Sequence, residues 1–154
     1  MEIKFSELKK HDCLRSEIKA ICDFKGGLHK DHIRNKNWVY AVLDDNQFLG
    51  DDAINLSYAL ECIGVNFVLA AWAADLQGDN DINVEKNSID VMKIEKMQSP
   101  GCRIDHMDSI FFSEYPLRFL IIRPDTCQDS LYLAGPVNFV KRATKASGWK
   151  FVAP

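Results

Sequence analysis

Apolar residues follow helical spacing in three segments of this chain. The first spans residues 6–24, the second begins at Asp51-Asp52 and ends at Gly64, and the third follows Pro136 and ends at Gly148. The periodicity is clearest in the second segment, whose apolar face is formed by Ala53, Leu56, Leu60 and Ile63. Asp favours the start of a helix and Gly its end, so these flanking residues agree with the periodicity. We therefore predict about three helices, with residues 6–24 forming either one amphipathic helix or two short ones.

Segments rich in aromatic and β-branched residues lie between the helices and predict strands. The strongest are residues 38–43, 65–72, 115–124 and 130–135, and a weaker alternation in residues 88–97 predicts a fifth. The last two strong segments predict a hairpin. Residues 38–72 predict strand, helix, strand, a right-handed crossover if the two strands are parallel neighbours. We expect one α+β (mixed α/β) domain with about five strands in a sheet and about three helices packed on it.

Length and composition predict a soluble cytoplasmic protein. The chain has 154 residues, and 47% of them are hydrophobic. Its longest apolar run, residues 67–74, is far shorter than the roughly 20 residues of a membrane-spanning helix. The first residues lack the apolar core of a secretory signal. Five scattered cysteines, an odd number, argue against a disulfide framework. We expect no membrane association.

Charge is distributed unevenly along the sequence. Residues 1–40 contain nine basic and six acidic residues, a net charge of +3, and residues 91–154 have the same counts. Residues 41–90 contain ten acidic residues and one basic residue, Lys86, a net charge of -9. An acidic block of this size repels nucleic acid and attracts basic proteins. Direct nucleic-acid binding is therefore not expected, although a solvated acidic surface without a partner is the simpler interpretation.

Several of these acids flank the predicted strand-helix-strand unit. Two follow its first strand, two begin its helix, and three follow its second strand: Asp44, Asp45, Asp51, Asp52, Asp75, Asp79 and Asp81. If the two strands are parallel, their ends lie at one edge of the sheet and the carboxylates converge. Such a cluster could hold a metal ion or form a docking surface for a basic protein. Helix capping explains Asp51 and Asp52 without any ligand.

The segment GGLHKDHIRNKN, residues 26–37, is the strongest candidate for catalysis. It places His29, Asp31 and His32 within four residues, and its Asp-His-Ile triplet resembles the start of the HNH nuclease motif. In that motif a histidine activates water while a metal holds the phosphate. The later histidine of the motif has no counterpart, because no histidine occurs between His32 and His106. We favour a helix stop followed by a polar connector. A metal-dependent hydrolase or nuclease using these three residues is the alternative.

Other candidate sites are weaker. His29 and His32 could combine with Cys102 and His106 into a zinc site. Neither pair, however, has the tight Cys-x-x-Cys spacing of a zinc knuckle. Residues 79–90 partly match a calcium loop, but Val84 stands where a glycine is required. The sequence has no nucleophile motif and no phosphate-binding loop. We therefore expect no cofactor and no enzymatic activity.

Two stretches, DDAINLSYALECIGVNFVLAAWAADL and DSLYLAGPVNFVKRATKA, give the chain an arrangement that resembles small cytosolic bacterial toxin-immunity proteins. Such proteins are often single α/β domains without an active site, acidic on the side that faces the toxin. The resemblance implies an inhibitor that occludes a basic toxin domain, such as a nuclease, by electrostatically steered binding. An adaptor or regulatory module is a further alternative.

Overall fold

The computed structural model describes residues 2–4, 9–22, 28–43, 48–72, 76, 83–96, 109–122, 131–146 and 149–152. The strands are β1 (Glu2–Lys4), β2 (Trp38–Leu43), β3 (Phe67–Trp72), β4 (Asn83–Ser88), β5 (Ser109–Phe112), β6 (Leu120–Ile122), β7 (Leu131–Pro136) and β8 (Trp149–Val152). The helices are α1 (Lys9–Ile21), α2 (Lys30–Asn35), α3 (Asp51–Cys62), α4 (Val91–Lys96) and α5 (Val137–Ala143).

These strands form one sheet in the order β1-β4-β3-β5-β6-β7-β2-β8. Every pair of neighbouring strands is antiparallel. The α+β prediction is therefore confirmed, but the sheet has eight described strands rather than about five. Five described helices likewise exceed the three predicted.

Helices cover both faces of the sheet, and each face has its own core. On one face α3, α4 and α5 pack on alternate strand residues, with Leu56, Phe119 and Phe139 at the centre of the cluster. On the other face α1 and α2 pack on the intervening residues, including Trp38, Leu69 and Phe112. Since side chains alternate across a strand, a central strand covered on both sides must be apolar throughout. This explains the continuous apolar sequence of β2.

The strongest periodic segments fold as their sequences predict. Helices occupy residues 9–21, 51–62 and 137–143, within or close to the three predicted segments. Residues 38–43 form β2 and residues 67–72 form β3. The predicted hairpin is confirmed, because β6 pairs antiparallel with β7 from Leu120↔Ala134 to Ile122↔Tyr132.

Two strand predictions need correction. Residues 89–96, the described part of this segment after Ser88, form no strand, because Asp90 begins α4: the Lys93 N–H donates to Asp90 Oδ1 at 2.9 Å, and the Ser88 hydroxyl donates to Oδ2. This is the bonding of a helix N-cap, so residues 91–96 become helical. Of the segment predicted as a strand over 115–124, residues 115–122 are described, and they form a strand at Leu120–Ile122, because residues 113–118 fold into a turn that contains Pro116.

The predicted crossover of residues 38–72 is not between neighbouring strands. β2 and β3 point the same way, since four antiparallel steps separate them, but β5, β6 and β7 lie between them. At about 4.8 Å per step, the ends of the two strands lie roughly 19 Å apart in a flat sheet. In the part of the chain that the structure describes, no helix is long and apolar enough to cross a membrane.

Candidate functional site

The histidine segment forms a short helix instead of a connector. Residues 30–35 are α2, which buries Ile33 against the sheet and presents its polar residues to solvent. His29 is exposed at the N-cap position without a side-chain capping bond. Asp31 pairs with Arg34 at 3.6 Å, and both side chains are largely exposed. A surface pair of this kind contributes little stability. The prediction of a polar connector was therefore wrong for residues 30–35.

The alternative site, a metal ion bound by His29, Asp31 and His32, gains no further ligands among the described residues. Among the described residues, no three His, Cys, Asp or Glu side chains are grouped so that they could hold a metal ion. His32 is half-buried on α2, and Asp31 is held by Arg34. Cys102 and His106, the other half of the proposed zinc set, lie outside the described residues.

Two of the seven predicted acidic site residues are described. Asp51 and Asp52 occupy the first turn of α3, but Gly50 is its N-cap residue and no side-chain capping bond is formed, so the predicted capping by these aspartates is wrong. The others, Asp44, Asp45, Asp75, Asp79 and Asp81, lie outside the described residues. The expected convergence required β2 and β3 to be parallel; they do point the same way, but three strands separate them, so their ends are not adjacent.

The N-terminal end of α3 is acidic and tied to two other elements. Trp149 Nε1–H donates to Asp52 Oδ1 at 2.9 Å, which joins the helix to β8. The Gly50 N–H donates to Glu95 Oε2 at 2.9 Å, which joins the preceding loop to α4. Asp51 is exposed. Carboxylates are favourable here because the N-terminus of a helix carries partial positive charge.

Large apolar side chains are exposed on α3 and α4, from this acidic end as far as Tyr58, whose ring centroid lies 5.7 Å from the guanidinium carbon of Arg142. Leu49 is 48% exposed, Ile54 51%, Tyr58 54% and Met92 81%. Ile54 and Tyr58 are one turn apart on the outer face of α3, while Met92 belongs to α4, which packs beside it. We call Leu49, Asp51, Ile54, Tyr58, Met92 and Glu95 the acidic-apolar surface. Several large apolar side chains exposed on one helix layer are typical of an interaction site.

The C-terminal end of α3 is instead surrounded by arginines. The helix ends in a Schellman motif, in which Gly64 N–H donates to Glu61 O and Val65 N–H donates to Leu60 O. Arg118 Nη1 donates to the Ile63 carbonyl at 2.7 Å. Arg142 Nη1 lies 2.8 Å from Cys62 Sγ. Cations are favourable at this end, where the helix carries partial negative charge.

Comparison of the chain with protein-family models, with curated proteins and with solved structures finds no match. Any function must therefore be argued from the residues and geometry of this chain.

Most of the site residues missed from the sequence are apolar or basic, and the acidic Glu95 was missed as well. Ile54, Tyr58 and Met92 lie in predicted helix or strand segments, and their exposure depends on which face packs on the sheet. Arg118 was not identified as a site residue, because it lies in a segment predicted as a strand. Pro116, which follows Ser113 and Glu114, was the available signal for a turn there.

Proposed function

We propose that this chain is a protein-binding inhibitor of the immunity type, which occludes a basic domain of a toxin through the acidic-apolar surface. The observation that carries the proposal is the combination of four exposed large apolar side chains with the acidic first turn of α3 on one helix layer. Apolar side chains supply most of the binding energy of a protein interface, and charges around them supply steering and specificity.

The electrostatics favour a basic partner. Asp51 is exposed and Asp52 and Glu95 are half-buried at the same end of α3, and the residues just before the helix include Asp44 and Asp45 in sequence. A positively charged protein would approach this surface faster at low salt, because screening shortens the range of the attraction. A nuclease domain fits this requirement, since its substrate-binding surface is basic. Covering that surface would block nucleic acid without any reaction by the inhibitor.

Met92 and Ile54 fit the contact that such an interface needs. Both project from neighbouring helices, and methionine adapts its shape to a partner at low cost. Tyr58 offers an aromatic anchor, a residue type enriched where binding energy concentrates. The proposed partner therefore presents basic residues around an apolar patch.

The test uses three forms of the protein as bait in lysate from the native host. Wild type, Asp51→Lys and Glu61→Lys differ by matched charge reversals at opposite ends of α3, about 15 Å apart. We expect wild type and Glu61→Lys to retain the same basic protein, and Asp51→Lys to lose it.

The captured protein is then assayed for its own activity, beginning with nucleic-acid cleavage. An inhibitor reduces that activity at a one-to-one ratio, whereas an adaptor leaves it unchanged. Equal retention by all the variants, or undiminished activity of the bound protein, would contradict the proposal.

A further inference from the structure

A cleft with a volume of about 190 Å³ opens at the C-terminal end of α3. One wall is formed by residues 64–67, which connect α3 to β3, and the other by residues 113–115 with Arg118, which connect β5 to β6. The cleft is separate from the acidic-apolar surface at the start of the same helix. Whether it binds a ligand is therefore independent of the proposed inhibitor function.

The guanidinium of Arg118 is fixed in this cleft. Its Nη1 donates to the Ile63 carbonyl at 2.7 Å. A Cβ at Gly64 would lie 3.4 Å from Nη1, an ordinary van der Waals contact. A guanidinium has five N–H donors, and Ile63 O is its one hydrogen-bond partner within the described ranges. The remaining donors suit the two oxygens of a planar anion.

Hydrogen bonds hold the loop that carries Arg118. The buried Ser113 hydroxyl accepts from the Arg118 N–H at 2.8 Å and donates to the Glu114 carbonyl at 2.9 Å. The Leu117 N–H donates to Glu17 Oε2 of α1 at 3.0 Å. Binding of an anion to Arg118 therefore costs little conformational entropy in the loop, and preorganisation of this kind raises affinity.

Two half-exposed aromatic rings line the cleft, Phe67 at 39% and Tyr115 at 42% exposure. Lys86 Nζ lies 4.0 Å from the centroid of the Phe67 ring and 3.3 Å from Glu114 Oε1. Glu114 thus balances the charge of Lys86. Of the described residues that line the cleft, Arg118 contributes the cation that no carboxylate balances.

We propose that this cleft binds a small aromatic monocarboxylate, with the carboxylate on Arg118 and the ring against Tyr115. A single negative charge matches the single unbalanced cation, whereas a phosphate would carry a second charge without a partner. The volume is below the roughly 300 to 1,000 Å³ of sites that enclose drug-sized ligands, so a ligand of one ring fits better than a nucleotide. The same chemistry occurs in a free acid and at the C-terminus of a peptide that ends in phenylalanine.

The test is a titration followed by amide NMR shifts of the full chain with benzoate, and with neutral benzamide as the isosteric control. We expect saturable shifts confined to residues 63–67 and 113–118, and at least tenfold weaker binding of benzamide. Shifts that do not saturate, shifts elsewhere, or equal binding of benzamide would overturn the proposal.

Variants separate the guanidinium from general positive charge. Arg118→Gln should weaken benzoate binding at least tenfold, while Arg142→Gln, an exposed arginine on α5, should leave it unchanged. Arg118→Lys should bind benzoate with intermediate affinity, because lysine keeps the positive charge but lacks the planar pair of N–H donors of the guanidinium. If Arg118→Gln binds as wild type does while its amide spectrum remains dispersed, the assignment is wrong.

A second ligand identifies the source of the carboxylate. The peptide N-acetyl-Gly-Gly-Phe with a free C-terminus is compared with its C-terminal amide. Binding of benzoate and of the free peptide supports the shared chemistry, and binding of benzoate alone assigns the cleft to a free acid. If neither ligand binds, the cleft has no such role, and the inhibitor proposal is unaffected.

Discussion

The two ends of α3 differ in charge, in construction and in the parts of the chain that contribute to them. The N-terminal end carries Asp51 and Asp52 and contacts α4 through Glu95. The C-terminal end is surrounded by Arg118 and Arg142, which lie more than fifty residues further along the sequence. The acidic block of residues 41–90 is therefore not a uniformly acidic surface in three dimensions. Net charge counted along a sequence cannot locate a surface, because folding mixes segments of opposite sign.

The two glycines that flank α3 should respond differently to substitution by alanine. Gly50 has φ 56° and ψ -124°, a conformation that residues with a Cβ rarely adopt, although nothing lies within 4 Å of the added atom. We expect Gly50→Ala to lower the free energy of unfolding by about 2–3 kcal/mol.

Gly64, with φ 75°, occupies the left-handed position of the Schellman motif. Gly64→Ala should cost only about 1–2 kcal/mol, and Gly64→Asn less than Gly64→Ala. Urea denaturation followed by circular dichroism measures all three variants. A larger loss for Gly64→Ala than for Gly50→Ala would show that crowding against Arg118, not backbone conformation, dominates.

Removal of the Trp149–Asp52 hydrogen bond tests how firmly the acidic end is anchored. Trp149→Phe keeps an aromatic ring beside Phe48, whose centroid lies 5.4 Å from that of Trp149, but removes the Nε1–H donor. We expect a loss of about 1–2 kcal/mol in unfolding free energy, because the bond is to a carboxylate but is partly exposed. A double-mutant cycle with Asp52→Ala isolates the pair. A coupling energy near zero would mean that the bond adds nothing to stability.

Charge reversal at the two ends should change stability in opposite directions. Asp51→Lys should destabilise the protein by about 0.3–1 kcal/mol at low ionic strength, because it places a cation at the N-terminus of the helix. Glu61→Lys should be neutral or stabilising by a similar amount. Both differences should shrink in 1 M salt, where the screening length is about 3 Å. Asp51→Lys and Glu61→Lys also serve as bait in the binding test, so the stability measurements establish that both variants are folded.

The smallest effect concerns Asp90 at the start of α4. The Ser88 hydroxyl and the Lys93 N–H hydrogen-bond to its carboxylate and hold its pKa below the ordinary value. A depressed pKa stabilises the folded state above the ordinary pKa, and this contribution is lost as the pH falls through the folded-state pKa. Asp90→Asn should therefore remove part of the stability loss that occurs as the pH falls below the ordinary pKa of 3.8, with little change at neutral pH, because asparagine also caps helices. If chemical denaturation shows that Asp90→Asn loses as much unfolding free energy at acidic pH as wild type does, this role is contradicted.

The predictable part of the fold consists of its long periodic helices and its continuous apolar strands. α1 and α3 have enough residues for a helical period to emerge, and β2 and β3 are apolar runs typical of strands buried on both faces. Short elements failed because other interactions decide them: Asp90 capping produces α4, and the turn at residues 113–118 shortens β6. Four short strands, β1, β4, β5 and β8, were missed, and so was the strand order. Strand order depends on pairings between distant residues, which no local pattern contains.

The candidate site was predictable only in its acidic half. Asp51 and Asp52 were identifiable because helix starts favour carboxylates. The apolar half was not, because Ile54 and Tyr58 resemble core residues in a sequence and become surface residues only once Leu56 and Leu60 pack inward. Arg118 reaches Ile63 across fifty-five positions in the chain, a contact that depends wholly on tertiary structure.

The pairing of β2 has a consequence for synthesis on the ribosome. Its described partners are β7, from Trp38↔Pro136 to Leu43↔Leu131, and β8. After β2 has been made, about ninety further residues must be translated before β7 exists, which takes roughly 4 to 18 s at 5–20 residues per second. Throughout that interval the apolar sequence WVYAVL has neither strand partner. The nascent chain therefore depends on its α1 and α2 segments, or on a chaperone, to keep this strand from aggregating.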